Sequence, residues 1–543
     1  MINLLFIHFL VVVGLTVAVS WLVLRRYARA VLLGMQVAGS SSPAMAPSAR
    51  PARGDPLSIS EFEIPAAHTI GARLALQDQR RAAWRVAFAY SVSTAACGVL
   101  LTSASLWSNE IEISTSRVLG IGGVIASAAV PMIAITLAVP FWRATVLWGL
   151  AILGVSVLSV VAPIAIHAVR GDEFDPSIAL NAIYTFQLAA VYLGFPFLLA
   201  FATGTRKLRG VAPLSLGLIS ILALVPLLGT KATGLLAASP NGVISSLNVV
   251  GGMYLSFFLL APLAGWVTWR VLILIARAYE AKRFSDSQLI ANSWWLIIVA
   301  TLIPGIESGA RGVGGMVSFC AAASVCLLFA TLSHYLLRRA RSDAVDSRRP
   351  MLLLLRVFGR TSASERFFDR VIGRWRLTGP VSVIAAPDIV TRTVDPSDFL
   401  RFVRGQVAET FISSQAVLEE RLSTLDSSPD PDGRYRINEF WCRSDTWQPT
   451  AVRLMQLCDV VVADVRGLAP GRLGMQFELE QLAARVSAER IVLVIDESTD
   501  IELIRGAMVT GRGELKLVRI RNSSLSETKK VLDALLVAAH SAT

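Results

Sequence analysis

The pattern of apolar and polar positions changes once along the chain, near residue 345. Before that point long apolar runs alternate with short polar segments. A helix needs about 20 apolar residues to cross a hydrocarbon core. Nine runs reach or approach that length: 2–24, 86–107, 118–139, 144–168, 178–203, 211–228, 247–275, 289–303 and 312–337. They predict a multi-pass all-α membrane bundle over residues 1–340. A short helix over 67–85 leads into the second run. The eighth run is short. The seventh is long enough to tilt, or to emerge as a helix around 270–283. Residues 39–65 are rich in Ser, Pro, Ala and Arg and read as a disordered loop.

After the basic stretch 338–350 the pattern is that of an α/β domain with a mostly parallel, Rossmann-like sheet, spanning residues 345–543. Strands are expected at 351–357, 381–385, 434–441, 459–463, 491–495 and 515–520. Helices are expected at 363–376, 396–425, 446–457, 473–487, 500–508 and 526–539. The segment 426–433 reads as a turn-rich loop.

Charge adds a direction. The first run is followed, not preceded, by Arg25, Arg26 and Arg29, the order of an uncleaved anchor with its N-terminus outside. If the runs are threaded through a bilayer in turn, about 22 arginines and lysines fall on one side and about 4 on the other. Positive groups stay on the side of synthesis, so the C-terminal domain is expected in the cytoplasm. The opposite loops carry Glu110, Glu112, Asp172, Glu173 and Asp175. Trp84, Trp107, Trp142, Trp266, Trp269, Trp294 and Trp295 fall near the expected interfaces.

Composition agrees: 54% of residues are hydrophobic and 17% charged, outside the range of ordinary soluble enzymes. The net charge of +12 sits largely beside the apolar runs, where it meets anionic lipid, so the expected partner is a bilayer and not nucleic acid. The excess of arginine over lysine, with much Ala, Val and Gly, is that of a GC-rich bacterial genome, and the expected location is the inner membrane. Cys97, Cys320, Cys326, Cys442 and Cys458 form no CxxC pair, and no Cys/His spacing suits a metal. Few ionisable groups fall mid-run, which argues against ion-coupled transport. Pro131, Pro163, Pro196, Pro226 and Pro262 interrupt runs, as broken helices at binding sites do. Membrane helices also tolerate proline generally.

Candidate chemistry gathers at the carboxyl ends of the expected strands, where open α/β sheets bind ligands. Those ends supply Gly359 and Arg360, then Pro387 and Asp388, then Asp464 and Arg466 with a loop containing Gly467 and Gly471, then Asp496 and Glu497. Arg360, Asp388, Arg466, Gly467, Gly471 and Asp496 are candidate ligand-binding residues; polar strand ends also occur without any site. On the helix from Leu473, the apolar stripe is Met475, Leu479, Leu482 and Val486. Glu478 falls at its edge, either paired with Arg466 or Arg472 or available to a ligand, whereas Glu480 faces away. There is no P-loop, no GxGxxG after a strand and no GxSxG elbow. His540, in the C-terminal tail, is the single histidine of this domain, so Ser-His or Cys-His catalysis lacks its base. Trp441 and Trp447 flank Cys442, as core residues or as a stacking surface.

The order Asp459-Val460-Val461-Val462-Ala463-Asp464, a Gly/Pro loop, then Gly474-Met475-Gln476-Phe477-Glu478-Leu479 resembles the core of nucleoside 2-deoxyribosyltransferases and bacterial TIR-type domains. The resemblance covers about forty residues. It implies a nucleotide or NAD as ligand and work at an N-glycosidic bond. Glu478 would be the nucleophile or the stabiliser of an oxocarbenium-like state. Asp464 would orient the ribose, and Arg360 or Arg466 would hold phosphate.

Together these features describe a bacterial membrane protein with about nine helices and a cytosolic nucleotide-binding-like domain in a sensing or signalling role. The alternatives are a transporter or channel with a regulatory domain, an N-glycosidic-bond-cleaving effector, and a scaffold that docks a cytosolic protein.

Overall fold

A computed structural model of the protein describes residues 2–36, 58–61, 69–108, isolated positions between 146 and 169, most of 262–299, 314–340, 349–356, 362–385, 396–509, 513–521 and 524–542. The chain divides into two compact units. One comprises Met1–Arg26, Arg85–Ala340 and Thr393–Arg404; the other comprises Tyr27–Trp84, Arg341–Arg392 and Gly405–Thr543.

The first unit is helical wherever it is described as regular structure. Helix α1 covers Ile2–Gln36, α2 covers Thr69–Ser108 and α3 covers Gly314–Ala340. They contain the first and second apolar runs and all but the first two residues of the ninth. The short helix expected at 67–85 and the second run form one continuous helix, α2. The described positions of 262–280 and 286–299 are helical too, separated by a turn where Lys282 takes φ +53°. The runs at 118–139, 178–203 and 211–228, and nearly all of 144–168, lie outside the described residues. Among the described residues one helix, Arg80–Ala104, is long and apolar enough to cross a membrane. A nine-helix bundle is therefore not supported by the described fold.

Alongside a buried apolar cluster, this unit exposes large apolar side chains and buries several polar ones. Phe88, Leu100, Trp107, Trp266, Leu274 and Leu327 are exposed, while Ser93, Thr94, Thr102, Ser285 and Gln288 are buried. The buried hydroxyls of Ser93, Thr94 and Thr102 donate to the carbonyls of Ala89, Tyr90 and Gly98, four residues back, which satisfies them without water. Trp295 stacks on Phe329 with centroids 5.1 Å apart, between Tyr90 and Val325 in one apolar cluster.

The second unit is built on an eight-stranded, wholly parallel sheet. Its strands are β1 Ser58–Glu61, β2 Leu352–Arg356, β3 Val381–Ala385, β4 Phe411–Ile412, β5 Ile437–Cys442, β6 Val460–Asp464, β7 Ile491–Ile495 and β8 Glu514–Arg519. Their spatial order is β1-β8-β7-β6-β2-β3-β5-β4. Intervening helices are α4 Ser362–Trp375, α5 Pro396–Val403, α6 Gln415–Ser423, α7 Trp447–Leu457, α8 Leu473–Arg485, α9 Ile501–Ala507 and α10 Leu525–Ala542; of these, α5 belongs to the first unit.

The central strands are apolar at nearly every position because both faces are covered; the exceptions are Ser382 and the closing residues Arg356 and Asp464. On one face Leu353, Leu355, Val461, Ala463 and Leu493 pack with Leu454 and Met455 of α7, Met475, Leu479 and Leu482 of α8, and Ile504 of α9. On the other face Leu352, Leu354, Val460, Val462 and Val492 pack with Phe367, Val371 and Trp375 of α4 and Val531, Leu532 and Leu535 of α10.

Two expectations are corrected. The segment read as a disordered loop contains β1, which joins the far edge of the sheet with Ser58 opposite Glu514 and Glu61 opposite Leu517. An ion pair from Arg519 Nε to Glu61 Oε1 (2.6 Å) fastens it. The single helix expected over 396–425 is instead α5, a 3-10 turn at Ala408–Thr410, the edge strand β4 and α6. Gly405 at φ +75° ends the first piece, and Ser414 caps the last by accepting from Val417 N.

Candidate functional site

The strand order reverses at β2. From there the chain moves one way to β3 and later returns to add β6 on the other side. Such a switch point opens a crevice beyond the carboxyl ends of the two strands. Arg356, the last residue of β2, lies in register with Asp464, the last of β6, which lies in register with Val494.

Asp464 and Arg466 meet there. Arg466 Nε donates to Asp464 Oδ1 and Nη2 to Oδ2, both at 2.7 Å, and Arg466 N also donates to Oδ1 at 3.2 Å. Both side chains are buried, and the guanidinium sits 4.8 Å from the centroid of the Phe367 ring. The bidentate pair neutralises the two charges against each other and against an aromatic face. A ribose-orienting role for Asp464 and a phosphate-holding role for Arg466 are thus not available to the side chains as they stand.

Asp496 is a loop organiser. Its Oδ1 accepts from Gly467 N, Ser498 N, Ser498 Oγ and Thr499 Oγ1 at 2.7–3.1 Å, tying the loop after β6 to the loop after β7. Gly467 (φ +61°) and Gly471 (φ +89°) take backbone conformations that L side chains rarely adopt. Loop residue Leu468 is fully buried. Arg360 and Asp388 lie outside the described residues.

Glu478 is 2% exposed, in the second turn of α8. Asp464 lies on the α4/α10 face of the sheet, by alternation with Val460 and Val462, whereas α8 packs on the opposite face. The sheet therefore separates the two carboxylates expected to work together. Neither Arg466 nor Arg472 pairs with Glu478, and its Oε2 has no hydrogen-bond partner among the described residues. Burial alone pushes its carboxyl up from 4.5 to about 8. An acid held this way is mostly protonated at neutral pH.

Beside it, Trp447 of α7 meets Phe477 of α8 edge to face at 5.5 Å. Gly474, one turn before Glu478 on the same flank of α8, would place a Cβ 3.8 Å from Trp447 Cη2. That flank of α8 thus faces α7. Trp447 and Phe477 are half-buried. Trp441, by contrast, is buried between Tyr27 and Phe411, with centroids at 6.5 and 6.3 Å, and is a packing residue. Cys442 and Cys458 are buried, and burial pushes both thiols up to about 12, so neither is a ready nucleophile.

Sequence reasoning missed Arg356, Phe367 and Phe477. The charge closing the run Leu352-Leu353-Leu354-Leu355-Arg356 was a legible signal for the first. The aromatic partners had none short of the fold. Among the described residues no group of three His, Cys, Asp or Glu is placed to hold a metal. Comparison of the chain with protein-family models, with curated proteins and with solved structures gives no match.

Proposed function

We propose that this protein is a membrane-anchored sensor or signalling protein of a bacterial inner membrane whose α/β unit binds a nucleotide-like ligand at the β2–β6 switch point. The observation that carries the reading is the parallel sheet with its strand order reversing at β2, since ligands of open α/β sheets bind at that place. The glycine turns at 467 and 471 allow a ligand to approach the backbone closely there. A membrane location, with about nine helices, the N-terminus outside and the α/β unit in the cytoplasm, is supported by the apolar runs and their flanking arginines. It is further supported by the outward-facing Phe88, Leu100 and Leu327 over buried serines and threonines.

The test uses full-length protein in lipid nanodiscs, titrated calorimetrically with AMP, ADP, ATP and NAD. Saturable binding that is weakened by bulky substitution of Gly471 is the expected result. Absence of binding to all four overturns the reading. A reporter fused to the C-terminus that becomes active only outside the cytoplasm overturns the orientation.

A second reading, cleavage of the N-glycosidic bond of a nucleoside or NAD, is favoured by Glu478, a buried acid whose Oε2 has no hydrogen-bond partner among the described residues. In that reaction the C1′–N bond breaks with its electron pair going to the base, and water supplies the new oxygen at C1′; its proton goes to the leaving base of a nucleoside, or to solvent when NAD releases neutral nicotinamide. Release of free base that disappears in Glu478→Gln supports it; no release overturns it.

A further inference from the structure

Among the described residues of the α/β unit, Glu478 is a buried acid whose Oε2 has no hydrogen-bond partner. A buried carboxyl oxygen without a partner is destabilising, and apolar residues of similar volume would fill the space at no such cost. Structural pairing does not account for it, because Arg466 is committed to Asp464 and Arg453 of α7 to Glu419 at 2.8 Å. Arg485 of α8 donates to Gln481 at 2.9 Å, and Glu480 faces solvent. No charged group of α7, α8 or the loop between β6 and α8 acts on the carboxyl; burial is the whole cause of its elevation.

Its surroundings select a ligand chemistry. An uncharged carboxylic acid presents one O–H donor beside one C=O acceptor. The edges of nucleobases present the complementary acceptor beside a donor, such as the ring nitrogen and exocyclic amine of adenine. The flank of α8 that holds Glu478 also holds Gly474, whose missing side chain lets the half-buried Trp447 ring lie close to the helix, and Phe477 meets that ring edge to face. Aromatic rings beside a hydrogen-bonding edge suit a flat heterocycle, which can stack on such a ring. A free phosphate or a cation would instead need a charged partner.

We propose that Glu478, buried on the flank of α8 that faces Trp447 with its Oε2 unpartnered, reads the nucleobase of the ligand by a paired donor and acceptor. The assignment rests on the nucleotide-binding reading and names which end of the ligand enters the α7–α8 side of the sheet. It also competes with the cleavage reading for the same carboxyl, and one substitution separates the two. Glutamine keeps a donor beside an acceptor but cannot serve as a nucleophile or a charge.

The experiment measures calorimetric binding of adenosine, cytidine and AMP to full-length wild type, Glu478→Gln and Glu478→Leu in nanodiscs at pH 7. Folding is checked by thermal unfolding, and leucine is expected to be tolerated in this apolar setting. Glu478→Gln is expected to bind within about threefold of wild type and Glu478→Leu at least about tenfold more weakly, the effect of losing a buried hydrogen-bonded pair. Raising the pH toward 9 is expected to weaken binding to wild type and leave Glu478→Gln unchanged. Equal losses in both variants would mean that a charged carboxylate is required and would overturn the assignment. Equal binding by all three proteins would overturn it while leaving the nucleotide reading intact. Binding by none, wild type included, would remove the nucleotide reading itself.

Discussion

Arg466 folds back over two residues to grip both oxygens of Asp464, each at 2.7 Å, at the carboxyl end of the central strand β6. The pair is almost wholly buried and stands where β2 and β6 part. Breaking such a pair leaves an uncompensated buried charge, which costs about 3–5 kcal/mol. Asp464→Ala and Arg466→Ala are each expected to destabilise the α/β unit by that amount. The double variant is expected to cost less than the two single losses added, because the second removal takes away the stranded charge. Denaturant unfolding of the three proteins in a double-mutant cycle measures the coupling. Additive losses would show that the pair does not act as a unit.

Glu478 makes stability depend on pH in the direction opposite to a salt-bridged acid. Its folded value, about 8, lies above the ordinary 4.5. Between those values the folded state holds a proton that the unfolded chain has released. The protonated acid's contribution is therefore present in full below about pH 4.5 and is lost as pH rises through about 8. Every tenfold difference in proton affinity between the folded and unfolded chain corresponds to roughly 1.4 kcal/mol, so the total loss is on the order of a few kcal/mol. Thermal unfolding of wild type and Glu478→Gln across pH 5–9 is expected to converge at the acid end and diverge at the alkaline end, with the glutamine variant more stable. Parallel curves would show that the carboxyl does not titrate in this range.

Much of the α/β unit was legible because strands buried on both faces announce themselves. β3 and β7 coincide with the runs read from sequence, and the other long strands differ by one to three residues at their ends. What could not be read depends on distant partners. Ser58-Ile59-Ser60-Glu61 is too short to show alternation, and its partner strand begins at Glu514. Phe411 and Ile412 form a two-residue strand inside a stretch of helical composition. At the site, helical periodicity placed Glu478 near the core. The local turn at Val465 decides that Arg466 serves Asp464 and leaves Glu478 alone, and no spacing rule encodes that turn.

The strand β1 changes what counts as the α/β domain. A fragment of residues 345–543 lacks it and leaves the outer edge of β8 with an unpaired row of backbone groups, a template for aggregation. Such a fragment is expected to run as a polydisperse species on size exclusion. A version carrying residues 54–64 on a flexible tether is expected to run as a single peak and to unfold at a higher temperature. Arg519→Ala in the tethered version is expected to remove part of that gain by freeing Glu61, by about 0.2–1 kcal/mol for an exposed pair. Identical behaviour of the two fragments would mean that β1 is dispensable.

The end of α1 tests the same principle at the opposite edge. Tyr27, Val31 and Met35 are buried along one stripe of the helix, and Tyr27 meets Trp441 of β5 edge to face. Gly34 lies against β4: a Cβ there would fall 2.5 Å from the ring of Phe411, closer than carbon atoms approach. Substituting Gly34→Val forces either the helix or the ring to move, at a cost of about 1–3 kcal/mol from overpacking. Shortening the ring with Phe411→Leu is expected to cost stability in the wild-type background, where it opens a void. The same change is expected to recover stability in the Gly34→Val background, where it relieves the clash. The opposite signs are the signature of direct contact, and thermal unfolding of the four proteins reads them. A Phe411→Leu effect of the same sign in both backgrounds would show that α1 does not pack against this edge of the sheet.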